Sequence, residues 1–313
     1  MIVALLAAPG TWLRTPVSDD FRPILAITPV AVEQRRTGDF TLEGVWELAS
    51  GNAHFGGYSA LLALPDGRLL AASDRGRYLR FAPPGAAPRP PEFGAIGGGV
   101  ELTKYLVDVE AMTGDPARER IWLAYEGSNT IARYGPALTE GETVAPSAMR
   151  GWSSNSGPES LARMADGRFL VLEEGRPGSR PDHRALLFPG DPVAGAEPAQ
   201  FRYLPPEGFR PVDAAPLPDG RVLILHRKVA LDLPSPFTSA IALADPRTIR
   251  AGGEWHGEVI GTIAEQLPRD NFEGIAVAPG ADGGLTVWLI SDDNNSAFQR
   301  TLLYELRLDL PGS

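Results

Sequence analysis

Gly157-Pro158-Glu159-Ser160-Leu161-Ala162 leads to Asp166-Gly167, and then to Arg168-Phe169-Leu170-Val171-Leu172 and Glu173-Glu174-Gly175. A short apolar run, an Asp-Gly turn and a second apolar run spell a β-hairpin, because Asp-Gly suits the positive-φ positions of a tight loop. The second run is apolar without alternation, as in a strand covered on both faces. Both ends of the unit opposite the turn carry acids, Glu159 and Glu174.

The same unit recurs along the chain. Copies open at Gly57-Tyr58-Ser59-Ala60, Asp108-Val109-Glu110-Ala111-Met112, Pro211-Val212-Asp213-Ala214-Ala215 and Phe272-Glu273-Gly274-Ile275-Ala276. Counted from Ser59, Glu110, Glu159, Asp213 and Glu273, successive starts lie 51, 49, 54 and 60 residues apart, the spacing of propeller blades. Tight turns fall at Asp66-Gly67, Asp219-Gly220 and Asp282-Gly283-Gly284, with Pro116-Ala117-Arg118 in the second copy, and Asp-Gly reads as a two-residue hairpin loop. Third strands are expected at 78–81, 130–134, 185–188, 238–243 and 302–306.

The pattern predicts an all-β fold, a β-propeller of four-stranded antiparallel blades. Five repeats are countable, and a sixth blade would have to come from residues 20–50 and poorly patterned stretches such as 83–103. Because the last copy ends after its third strand, the strand at Thr41 to Leu48 is expected to complete the final blade and close the ring. A β-solenoid or a pair of sandwiches is the alternative.

Among 313 residues, 35 Gly and 30 Pro favour many turns over long helices, and residues 21–313 read as one domain. The apolar start, 1–20, reads as a signal or anchor remnant or as a disordered start; it is too short to span a bilayer. No other segment reads as a membrane span. A formal charge of −10 argues against nucleic acid as a partner and for a metal cation or a small molecule. The absence of cysteine excludes disulfides, thiolate metal sites and cysteine nucleophiles.

In a hairpin the start of the first strand and the end of the second lie together. The starts carry Asp108, Glu110, Glu159, Asp213, Asp270 and Glu273; the ends carry Asp74-Arg75, Glu126-Gly127, Glu173-Glu174, His226-Arg227-Lys228 and Asp292-Asp293-Asn294. Asp74, Glu174 and Arg227 each fall seven residues after the turn glycine, so the register repeats. Innermost strands line the axis of a propeller, so these groups are expected at one mouth of its channel. Crowded carboxylates raise one another's pKa unless cations compensate them. Carboxylate and amide oxygens without cysteine form the donor set of Ca²⁺ rather than zinc.

The closing run Asp270-Asn271-Phe272-Glu273-Gly274-Ile275-Ala276, with Leu289-Ile290-Ser291-Asp292-Asp293-Asn294-Asn295 and Gln299, resembles the phytase-like family, "esterase-like activity of phytase". The other copies resemble that family's repeats over roughly residues 40–307, departing at His226-Arg227, where a Glu-Arg pair is usual. The resemblance implies a bacterial propeller exported to the periplasm or medium, or N-terminally anchored, that hydrolyses phosphoric or carboxylic esters.

The chemistry expected of such a hydrolase is metal-assisted attack of water, with Ca²⁺ on ligands drawn from Glu110, Glu159, Asp213, Glu273, Asp292 and Asp293. Glu174 would act as base, while Arg75, Arg227 and Lys228 would hold anionic oxygens. The partner would be a small ester or phosphate, and the protein a monomer. Ser59 reads as a small mouth-lining residue, since no Gly-x-Ser-x-Gly elbow surrounds it. A calcium lactonase of the gluconolactonase type, using Asn155, Asn271 and Asn294, and a non-catalytic ligand-binding propeller stay open as rivals.

Overall fold

The computed structural model describes residues 18–309 except 100–107, 176–180, 231–234, 265, 281–282, 295 and 297–298. Asp282, Asn295 and most of the apolar start therefore lie outside the described residues.

Every second strand of the repeat has two covered faces, and the packing shows why. In Leu69–Ser73, Leu69 and Ala71 face one hydrophobic cluster while Leu70 and Ala72 face another. In Phe169–Glu173, Phe169 and Val171 pack one way and Leu170 and Leu172 the other. The buried core is thus divided among clusters wedged between neighbouring sheets. A strand between two wedges has no solvent face, which removes the period-two alternation.

Five sheets form the ring, antiparallel within the four strands of each blade, and the two-residue strand Glu254–Trp255 runs parallel along the outer edge of blade three. Blade one is Tyr58–Ala63, Leu69–Ser73, Arg77–Phe81 and Glu92–Ala95. Blade two is Val109–Asp115, Arg120–Tyr125, Thr130–Tyr134 and Gly141–Val144. Blade three is Pro158–Arg163, Phe169–Glu173, His183–Phe188 and Ala199–Tyr203. Blade four is Arg210–Pro216, Val222–Val229, Phe237–Ala244 and Glu258–Ile263. Blade five takes Phe272–Pro279, Leu285–Ser291 and Thr301–Leu308 from the end of the chain and Phe40–Ala49 from its beginning.

The expected closure is observed: Phe40–Ala49 runs antiparallel to Thr301–Leu308, from Thr301 opposite Leu48 to Leu308 opposite Phe40. The segment 20–50 supplies no sixth blade; Ala26–Pro29 and Arg36–Thr37 only extend the outside of blade five.

The hairpin loops differ from the two-residue expectation. In Leu64-Pro65-Asp66-Gly67-Arg68 the Leu64 N–H donates to the Arg68 carbonyl and the Gly67 N–H to the Leu64 carbonyl, which makes a three-residue loop. Gly67 closes it with φ +82°, as Gly167 and Gly220 do at +88°. The carboxylate at Asp66, Asp166 and Asp219 accepts the backbone N–H and Nε–H of the arginine two residues on. Blade two places Glu119 in the glycine's role, at φ 50°.

Candidate active site at the channel mouth

Each inner strand lies beside the inner strands of both neighbouring blades, so what it projects at its start meets its counterparts. The projection comes from a β-bulge. Pairing between first and second strands skips one residue in every blade: Ser59, Glu110, Glu159, Val212 and Glu273. A bulge re-aims the extra residue and frees it from the ladder. Three of the five are glutamates.

A second set of equivalents follows the second strands, at Asp74, Glu126, Glu174, Arg227 and Asp292. The N–H groups of Asp74, Glu126, Glu174 and Asp292 donate to the carbonyls of Gly57, Asp108, Gly157 and Asn271. Glu119 occupies the glycine's place, so Glu126 also falls seven residues after the positive-φ position.

These acids feel one another. Burial, then the charges of Glu273, Glu126, Asp108 and Asp74, push Glu110 well above the usual carboxylate range. Burial, then Glu110, Glu174, Glu126 and Glu273, do the same to Glu159. Asp292 is raised by burial, then by Glu273 and Asp74. Asp74 is pushed up to about 6, chiefly by burial and against the pull of Arg75. Burial raises Glu126 too, against the pull of the Gly157 N–H that its Oε1 accepts at 3.2 Å.

Arg227 is the most engaged cation of the mouth among the described residues, with Arg210 Nη1 also 3.6 Å from Glu174 Oε2. The Arg227 guanidinium donates to Asn271 Oδ1 at 2.8 Å, to Glu174 Oε1 at 2.8 Å and to Glu273 Oε1. Asn271 Nδ2 also donates to Glu273 Oε1, at 3.0 Å. Glu174 and Glu273 are therefore neutralised from within the chain. On the opposite side Asp108, Glu110 and Glu126 each offer an oxygen, all within 4.8 Å of one another. Asp74 Oδ1 is buried and has no hydrogen-bond partner among the described residues. An oxygen-only group carrying a buried, unpartnered acceptor fits a hard divalent cation.

Of the ligand candidates read from the sequence, Glu110, Glu159, Glu273 and Asp292 come together here. Asp293 joins them, but its Oδ1 accepts the Gly57 N–H and its Oδ2 the Thr301 hydroxyl, each at 3.0 Å. Asp213 stands apart: it follows the bulge that Val212 occupies, and its oxygens accept the N–H groups of Ala214 and Ile275. Burial raises its pKa, and it braces blade four against blade five.

Among the expected catalytic groups, Glu174 and Arg227 meet as an ion pair and Arg75 flanks Asp74. Lys228 lies away from them, its Nζ 5.7 Å from the centre of the Phe209 ring. Ser59 Oγ donates to the Val109 carbonyl, so it is a bracing group between blades one and two. Asn271 is held by Arg227 and Glu273. Asp74, Asp108 and Glu126, placed at the mouth by the repeat but left out of the ligand set, belong to it.

The family model "Phytase-like: Esterase-like activity of phytase" matches residues 53–295. No curated protein matches by sequence. Among solved structures, Myxococcus xanthus glutaminyl cyclase superposes with a TM-score of 0.51 at 13% identity, over 87% of this chain and 97% of that one. A chain of a nidogen/laminin complex gives 0.45 at 10% identity, over 92% of this chain and 99% of that one. At such identities the likeness to the cyclase is one of fold alone.

Proposed function

The chain belongs to the phytase-like family, and from the chemistry of its mouth we propose that it is a hydrolase of carboxylic or phosphoric esters that works with bound Ca²⁺. The observation that carries this reading is the approach of Asp108, Glu110 and Glu126 to within 4.8 Å of one another in a crowded, acid-rich mouth. Carboxylates so arranged repel one another, and a divalent cation would reverse the sign of that interaction.

Asp108, Glu110 and Glu126 would hold the cation, with Asp74 as a further oxygen donor. Bound there, the cation would supply positive charge to polarise an ester or phosphoryl oxygen and to acidify water. Glu174 would take the proton from the attacking water, as a general base. Arg227 would act as a positioning residue, fixing Glu174 and Glu273 rather than binding substrate, since its guanidinium is already engaged.

The test is a calcium titration of chelator-treated protein, followed by melting temperature and by turnover of p-nitrophenyl acetate and p-nitrophenyl phosphate. Calcium is expected to raise the melting temperature and to switch on hydrolysis of one ester class. Glu110→Gln and Glu126→Gln should each weaken calcium binding by at least about tenfold. A melting temperature indifferent to calcium would refute the reading.

A further inference from the structure

Beside the mouth lies a second feature of opposite chemistry. A cavity of about 410 Å³ opens between blades five and one, lined by Ser50, Asn52, Phe55, Arg75, Gln299 and Arg300 among others, and it meets the mouth at Asp293. Most of its polar walls are satisfied internally. Ser50 donates to the Ile24 carbonyl and accepts from the Asn52 N–H. Asn52 donates to the Arg22 carbonyl and accepts from the His54 N–H. Asp293 is held by Gly57 and Thr301.

What remains to meet a ligand is the side chains of Arg75, Arg300 and Gln299, with the half-exposed carboxylate of Glu47 at the same wall. Arg75 is exposed, and its guanidinium makes no ion pair or hydrogen bond among the described residues. Arg300 reaches its nearest carboxylates only at 3.9 Å, on Asp270, and 4.0 Å, on Glu47, beyond hydrogen-bond length. The mouth is thus built of acceptors, whereas the adjoining pocket sets two guanidiniums without hydrogen-bonded carboxylates against Glu47 and the already bonded Asp293.

We propose that this pocket is an oxyanion subsite, in which Arg75, Arg300 and Gln299 take a phosphate or carboxylate carried on the substrate at a distance from the bond that is cut. Guanidinium forks match the planar or tetrahedral oxygens of such groups. The identification of the ligand as a substrate rests on the hydrolase reading; the binding of an oxyanion does not.

The experiment is therefore done with chelator present. Isothermal titration of chelator-treated protein with inorganic phosphate, and separately with acetate, is expected to show saturable binding of at least one of them. The one bound more tightly identifies the group as phosphate or carboxylate. Arg75→Met and Arg300→Met should each weaken that binding about tenfold, whereas Arg247→Met, on an outer turn of blade four, should leave it unchanged. Absence of saturable binding, or wild-type binding by both the Arg75 and Arg300 variants, would overturn the subsite. Given an active enzyme, Arg300→Met should raise KM about tenfold for an ester with an anionic tail and leave a neutral ester's KM and kcat alone. A protein that binds phosphate but turns over no ester would sink the hydrolase reading and leave the subsite standing.

Discussion

Arg227 occupies the one position of its ring where the other blades carry a carboxylate, and it bridges two acids from different blades. Replacing it with Met would leave Glu174 and Glu273 facing each other in a poorly solvated mouth. Removing one member of a buried pair costs about 3–5 kcal/mol, so urea unfolding of Arg227→Met near neutral pH should show a loss of that order, shrinking in acid where the carboxyls can take up protons. The arginine was legible in the sequence from its seven-residue offset, yet its engagement was not, because partners on blades three and five depend on the closed ring. Asp213 gives the complementary lesson. Aligning the repeats on acids puts Asp213 with Glu159, whereas Pro211 and Pro158 share the position before the bulge and put Val212 there. The proline was the better guide, because backbone register rather than side-chain charge decides which residue leaves the ladder.

At the scale of the strand, the inner and second strands were readable because burial on both faces writes an unbroken apolar run. Outer strands such as Gly141–Val144, largely exposed, carry no such signature. The inner strands also crowd. A Cβ added at Gly274 would lie 2.7 Å from Ile290 Cγ2 and 3.0 Å from Leu61 Cβ and N, where blade five approaches blade one. Gly274→Ala should therefore destabilise the protein by about 1–3 kcal/mol, measurable by urea unfolding. It should also disturb the neighbouring Glu273, which a calcium titration of the same variant would report. The turn in blade two shows why motif reading needs geometry beside it: Glu119, with no resemblance to Asp-Gly, adopts the glycine's left-handed backbone and preserves the count to Glu126.

For the molecule as a whole, the mouth makes stability depend on pH in an unusual direction. Asp74 and Asp270 are each pushed up to about 6, mainly by burial, and Glu110, Glu159 and Asp292 lie well above their ordinary values. Such groups hold protons in the folded state that the unfolded chain has already released, so stability is full in acid and falls as pH rises through those values. The melting temperature of metal-free protein should drop between about pH 5 and about pH 7.5, and calcium should recover much of the loss. A melting temperature that rises over this interval in chelator would contradict the crowded mouth. The blade number was settled only by the paired strands, since nothing in residues 20–50 alone says whether they found a new sheet or finish an old one. That finishing strand has a temporal consequence. Phe40–Ala49 leaves the ribosome long before the edge it must join, Thr301–Leu308. Until that edge emerges the nascent chain thus carries an unmated ladder edge, and the cylinder can lock only when the two strands meet.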